Sequence, residues 1–375
     1  MKAKFLTFVF VVACLCSCSS RSSQYLKEGN CPSLNLISAC PEVKDLSPYI
    51  KDVQLFPLSS DSVFIAGTPK LLHYDSKIII LSDKLYEFNS DGSFSKIIGR
   101  QGRGPGEYVH LNDVALDLEN NQLLGLTHQN ILLRFSLATG ETEQEQQLDI
   151  KASTNGLIPL SGGRVAVFVA NPPQQDTCSY RLLVFDKNGA LTGKALPSQG
   201  DFSISMGFRQ FVYQVKDNSY ALTFSPSSCK TYLSDGEKMA PSAYLDFGSK
   251  ALPEDFFSKF NDPWQGVAEA FEDDSFKSPI ALETDLLTYV NAYGKDSSVW
   301  NFVTNGKKGL RWRSIPDTAA PMQAVCSDGE YLYFVFTEAE LSSTEDLLKK
   351  YLIEKCSVIL SPDDNPIIVK VKFEL

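Results

Sequence analysis

An alternating apolar strand that ends in a glycine-containing turn recurs along this chain at a nearly constant interval. The first copy is Leu85-Tyr86-Glu87-Phe88-Asn89-Ser90-Asp91-Gly92. The design returns as Leu132-Leu133-Arg134-Phe135-Ser136-Leu137-Ala138-Thr139-Gly140 and as Leu182-Leu183-Val184-Phe185-Asp186-Lys187-Asn188-Gly189. A weaker copy is Lys230-Thr231-Tyr232-Leu233-Ser234-Asp235-Gly236. The aromatics Phe88, Phe135, Phe185 and Tyr232 lie 47, 50 and 47 positions apart. A second apolar strand precedes each copy, over 77–82, 122–127, 164–170 and 219–224, and an extended run follows each turn.

One period therefore holds about four short strands, turn residues and little helix. A lone four-stranded sheet exposes apolar residues on both faces. Packing such sheets radially covers both faces, and closing the ring removes unpaired neighbours. The expected fold is all-β, a six-bladed β-propeller over residues 49–375. Leu287 to Trp312 fits a fifth blade. Glu330 to Phe336 with Ile367 to Phe373 fits a sixth that lacks its outermost strand. The segment Val53-Gln54-Leu55-Phe56-Pro57-Leu58 is expected to supply that strand and close the ring.

Two segments break the β pattern. Over 253–276, Phe256, Phe257, Phe260, Trp264, Val267, Ala268 and Phe271 recur near a 3.6-residue period, which predicts a helical insertion entered at Pro253. Leu347, Leu348, Tyr351, Leu352 and Cys356 predict a second amphipathic helix within 343–356, from Glu345.

The N-terminus reads as an export signal over residues 1–17. Lys2 and Lys4 precede an apolar stretch from Phe5 to Ala13, too short to cross a hydrocarbon core of about 30 Å as a helix. Leu15-Cys16-Ser17-Cys18 follows and resembles the bacterial lipobox, which assigns a diacylglycerol anchor to the Cys18 sulfur. Residues 18–48 are expected to form a lipidated flexible tether, beginning with the polar run Ser19 to Ser23. By resemblance to Gram-negative lipoproteins, the absence of Asp at position 19 implies the outer membrane, facing the periplasm. The net charge of -10 speaks against a nucleic-acid partner bound through phosphates. Of the mature cysteines, Cys31 and Cys40 are close enough in sequence for a local disulfide in an oxidising compartment. No CxxC spacing suggests zinc.

The most distinctive local run is Ile97-Ile98-Gly99-Arg100-Gln101-Gly102-Arg103-Gly104-Pro105-Gly106-Glu107-Tyr108. It resembles the inter-blade signature of NHL-like and TolB-like six-bladed propellers. The closing Asp364-Asn365-Pro366-Ile367-Ile368-Val369 is similar to the end of exported TolB-like propeller lipoproteins of Gram-negative gut bacteria. The resemblance spans about residues 50–375 and implies fold and location, not a reaction. Read directly, Gly99, Gly102, Gly104 and Gly106 permit close backbone approach, and Glu107 can accept from loop amides to hold a crossover between blades. The rival reading is an anion site made of those amides with Arg100 and Arg103.

No residue pattern calls for a cofactor, a metal or a nucleophile elbow. His73, His110 and His128 show no ligand spacing. The functional expectation is a membrane-anchored binding module that offers propeller loops to an envelope protein, peptide or glycan. The alternative is a propeller enzyme, a metal-assisted lyase or a hydrolase acting on glycans. Converging histidines, or a carboxylate pair beside a basic residue at the channel mouth, would favour the enzyme.

Overall fold

The structure is a computed structural model and describes residues 25–26, 29–65, 69–170, 180–198, 210–217, 219–224, 227–253, 255–295, 298–316 and 323–375. Cys18 and Cys178 lie outside them. Two strands, β1 (Ser33–Asn35) and β2 (Ile50–Pro57), precede the first complete blade. Blade one is β3 (Lys70–Tyr74), β4 (Lys77–Leu81), β5 (Leu85–Asn89) and β6 (Phe94–Ile98). Blade two is β7 (Leu111–Asp117), β8 (Gln122–Thr127), β9 (Ile131–Ser136) and β10 (Thr142–Gln147). Blade three is β11 (Thr154–Leu160), β12 (Arg164–Val169), β13 (Tyr180–Phe185) and β14 (Leu191–Pro197). Blade four is β15 (Val212–Lys216), β16 (Ser219–Leu222), β17 (Lys230–Ser234) and β18 (Met239–Asp246). Blade five follows α1 (Pro263–Glu272) and is β19 (Lys277–Glu283), β20 (Thr288–Tyr293), β21 (Val299–Thr304) and β22 (Gly309–Pro316). Blade six opens with β23 (Ala324–Ser327) and β24 (Leu332–Phe336). It continues through α2 (Glu338–Ser343), β25 (Thr344–Glu345) and α3 (Leu347–Cys356) to β26 (Ile367–Phe373).

The six sheets form the expected six-bladed ring. Middle strands such as β8, β9, β12 and β13 are buried along nearly their whole length, because a blade lies against each of their faces. The rim strand β10, Thr-Glu-Gln-Glu-Gln-Gln, is mostly exposed. The recurring aromatics sit on the third strand of each blade. Phe88, Phe135 and Phe185 are fully buried, and Tyr232 is half-buried. The turn after each of these strands needs a left-handed residue. Gly92, Gly140, Gly189 and Gly236 have φ of 83°, 78°, 80° and 83°, and Gly306 repeats the geometry in blade five at 83°. The fifth copy escapes the strand motif, yet its Asn305-Gly306 turn was there to be read.

β2 closes blade six as expected, antiparallel to β26 from Ile50 opposite Phe373 to Pro57 opposite Ile367. Asn365 locks the seam. Its Oδ1 accepts from Ile65 N at 2.7 Å, and its Nδ2 donates to Ser59 O and Val63 O at 2.7 and 2.8 Å.

The chain before β2 departs from the expected flexible tether. Among the described residues it is a belt on the rim. Tyr25 is buried against blade three, and Leu26 bridges to Met239 at the start of β18. β1 adds a parallel fifth strand to β18, Ser33 opposite Tyr244 and Asn35 opposite Asp246. Arg311 N then donates to Pro41 O at 3.0 Å, and Val43 N to Arg311 O at 2.9 Å, so the belt crosses to blade five before entering blade six. The physical reason is the open edge of each rim strand, whose unpaired amides and carbonyls take up a passing extended segment.

The belt also removes the expected local disulfide. Cys31 and Cys40 are free thiols, separated by extended β1. Cys40 is buried, packed at Thr304 and Gly309 of blade five, and burial raises its thiol pKa.

Both helical insertions exist with later starts than expected. Over 253–276, Phe256–Lys259 is a 3-10 turn and α1 begins at Pro263. Asp262 caps α1 by accepting from Trp264 N at 3.0 Å, so an Asp-Pro pair rather than Pro253 starts the helix. In blade six, Asp346 caps α3 by accepting from Leu348 N at 2.6 Å and Lys349 N at 3.2 Å. The residues just before it pair as β25 with Ile315 and Pro316 of β22, so blade six's insertion extends the rim of blade five.

Candidate functional site

A propeller invites a search along its axis, where the first strands of the blades meet. Here the axis is occupied by hydrogen-bonded side chains. Gln214 of β15 reaches across the ring to blade one. Its Nε2 donates to His73 O and its Oε1 accepts from His73 N, both at 2.9 Å, as a neighbouring strand would. His73 Nε2 donates to Ser327 O of blade six at 3.0 Å, and its ring stacks on Tyr333 at 5.1 Å. Lys70 pairs with Asp113 of blade two, whose other oxygen accepts from Leu157 N of blade three at 2.7 Å. Lys70, His73, Asp113 and Gln214 are all buried. Desolvation pushes the Asp113 carboxyl above its ordinary value, against the pull of Lys70. Tyr220 Oη accepts from Leu116 N at 2.7 Å, linking blades four and two.

Lys70 and Asp113 meet each other, and Asp113 also meets Leu157 N, so the pair ties blades one, two and three together. His110 and His128 do not join His73. They flank the paired Leu111 and Thr127 at one end of blade two, and both are exposed. Among the described residues no group of three or more His, Cys, Asp or Glu is placed to hold a metal.

The two ends of the ring differ. Neighbouring strands of a blade run antiparallel, so successive connections alternate between the ends. At one end, here the turn face, the connections from β3 to β4, β5 to β6 and their counterparts in later blades have two to five residues. At the other, the loop face, lie among the described residues 58–65, 99–110, 247–253, 255–276 and 337–366. The loop face carries α1, with Trp264 65% exposed, and the α2–α3 insertion, with Ile359 86% exposed. Variable loops on a rigid frame are where recognition chemistry usually resides.

The glycine-rich run is one of these loops, and its geometry opposes the anion reading. Gly104 N donates to Glu107 Oε2 at 2.7 Å and Gly106 N to Glu145 Oε2 at 2.6 Å. Gly102 N donates to Tyr108 O at 3.0 Å and Gly99 N to Gly140 O at 2.7 Å. Arg100 lies 3.7 Å from Glu141, and Arg103 is exposed. The groove beside the loop is lined by Glu107, Glu141, Glu143 and Glu145, which repel an anion. The loop amides thus already hold carboxylates, and the run serves as the expected connection between blades one and two. A Cβ at Gly102 would sit 2.0 Å from the Glu107 carboxylate, so a larger residue there has to displace that side chain.

The residue that rivets the connection is Tyr108, which the motif ends on but which was not among the candidate site residues. Its buried Oη accepts from Leu85 N and donates to Ile98 O, each at 3.1 Å. Its ring meets Phe135 edge-on at 6.0 Å. Burial raises the phenol pKa.

The profile of one family, described as a domain of unknown function (DUF4934), matches residues 32–372. No curated protein sequence matches the chain. Among solved structures, a Bacteroides fragilis protein inferred to be exported superposes with a TM-score of 0.71 at 17% identity, covering 89% of this chain and 98% of that one. A DUF4221-family member from Bacteroides vulgatus superposes with a TM-score of 0.55 at 10% identity, covering 87% and 97%. At these identities the likeness concerns the fold.

Proposed function

We propose that this chain, which belongs to the DUF4934 family, is an exported, lipid-anchored module of the cell envelope that binds a protein, peptide or glycan through the loop face of its propeller. One observation carries the reading: the axis is filled while the long connections gather at one end of the ring. Recognition is thereby assigned to loops rather than to a channel. Export is supported by the signal-like N-terminus and by the Bacteroides fragilis neighbour inferred to be exported. The lipid is assigned to Cys18 by the lipobox-like Leu15-Cys16-Ser17-Cys18, with the outer membrane's periplasmic side as its place.

The test uses the soluble 24–375 fragment, immobilised and exposed to envelope extract. A species retained by the wild type is lost with Trp264→Ala and Ile359→Ser on the loop face. It is kept with Asn188→Ala and Lys307→Ala on the turn face. Loss confined to the turn-face variants refutes the assignment.

A further inference from the structure

We propose that Asn188, in the turn between β13 and β14, is a site of spontaneous covalent modification, where the side-chain amide is displaced by the backbone nitrogen of Gly189. The chain holds three Asn-Gly pairs, at 155, 188 and 305. Asparagine is thermolabile, and a following glycine has no Cβ to shield its amide nitrogen. In sequence the three pairs are equivalent. The fold separates them.

Asn155 is the bulged residue of β11, between Thr154 opposite Val169 and Gly156 opposite Phe168. Gly156 is buried, and a Cβ on it would sit 2.5 Å from Val212. Hydroxide has no access to its amide there, and the backbone has no room to turn. Asn305 is exposed, but its Oδ1 accepts from Lys307 N and Lys308 N, both at 3.0 Å. Those bonds pin the side chain to the amides ahead of it. Gly306 N also donates to Thr304 Oγ1 at 3.0 Å. Asn188 is exposed, and its side chain makes no hydrogen bond among the described residues. The pinning role in its turn falls to Asp186, whose Oδ1 accepts from Asn188 N at 2.8 Å and Ala190 N at 2.9 Å. One backbone bond holds the attacking nitrogen, from Gly189 N to Asp186 O at 3.0 Å. It lies at an exposed hairpin tip, where local opening costs least.

The step needs only water and hydroxide. Hydroxide takes the Gly189 amide proton, the nitrogen bonds to Asn188 Cγ, and the Cγ–Nδ2 bond breaks to release ammonia. Water then opens the cyclic imide at either carbonyl. One opening leaves aspartate; the other leaves isoaspartate, whose main chain runs through the side-chain carbons. In both, a neutral amide and a water become a carboxylate and an ammonium ion, with no electron transferred. The new carboxylate stands on the turn face beside Asp186.

The test ages the purified full chain in mildly alkaline buffer and maps its peptides by mass spectrometry. In the folded protein the Asn188 peptide exchanges its amide for a carboxylate several-fold faster than the peptides holding Asn155 and Asn305. In guanidinium chloride the three rates converge, because each pair then keeps only its sequence. Asn155 or Asn305 converting as fast as Asn188 in the folded chain overturns the assignment. So does the same ranking after unfolding, or an Asn188 that keeps its amide throughout.

Discussion

Replacing Asp113 with Ala tests whether the ring axis is closed to water. In the native protein the Asp113 carboxylate faces Lys70 and accepts from Leu157 N at 2.7 Å, and both charged side chains are 2–3% exposed. The substitution leaves Lys70 buried without a counter-charge, which costs about 3–5 kcal/mol for a buried pair. It also orphans the Leu157 amide, worth about 1–3 kcal/mol. A loss of about 4 kcal/mol or more follows. Removing both charges, as Lys70→Met with Asp113→Leu, restores most of it and leaves only the amide's share. The assay is urea denaturation of the 24–375 fragment, followed by tryptophan fluorescence. If the axis were an open aqueous channel, the pair would be worth about 0–1 kcal/mol, as exposed pairs are. A single-variant loss below about 1 kcal/mol therefore refutes the closed axis and returns the channel to consideration as a binding site.

Two further outcomes follow from buried polar contacts. Tyr108→Phe removes the hydroxyl shared by Leu85 N and Ile98 O and destabilises the fragment by about 1–3 kcal/mol, read from the same urea midpoint; an unchanged midpoint removes Tyr108 as the rivet between blades one and two. Burial opposes ionisation of Glu87, but Ser95 at 2.8 Å, Tyr74 at 3.0 Å and the Lys77 and Lys96 ammonium groups at 3.3 and 3.4 Å outweigh it and lower its pKa. A lowered carboxylate pKa stabilises the fold above the unfolded value of about 4.3 and loses that contribution as pH falls through the folded value. Thermal midpoints of the wild type therefore fall on acidification below about pH 4, and Glu87→Gln flattens that limb; an identical acid limb in both proteins contradicts the contribution of Glu87.

What the chain discloses without its fold is local. Four of the six blades show in their third strands, because alternation of apolar residues and the left-handed glycine at 92, 140, 189 and 236 are demands that neighbours in sequence place on one another. The closing strand was legible over 53–57, three residues short of its start at Ile50, for the same reason: blade six lacked a partner and an unpaired apolar run stood upstream. Helix starts were read less well, since Pro253 and Pro263 look alike until the Asp262 side chain is seen on the Trp264 amide.

Three features required the assembled ring. Gln214 meets the His73 backbone across 141 positions, and no periodicity foretells a side-chain amide standing in for a strand. The belt pairs through its backbone, which almost any residue can offer, so 18–48 looked like tether in sequence, while Ser33–Asn35 within it is a fifth strand in space. The glycine-rich loop displayed its arginines in sequence, while Glu141, Glu143 and Glu145, which reverse its electrostatics, arrive from the far strand of the next blade and the turn that enters it. Patterns carried by adjacent residues survive in the one-dimensional record, whereas contacts set by ring closure join distant positions and are decided only when the blades close on one another.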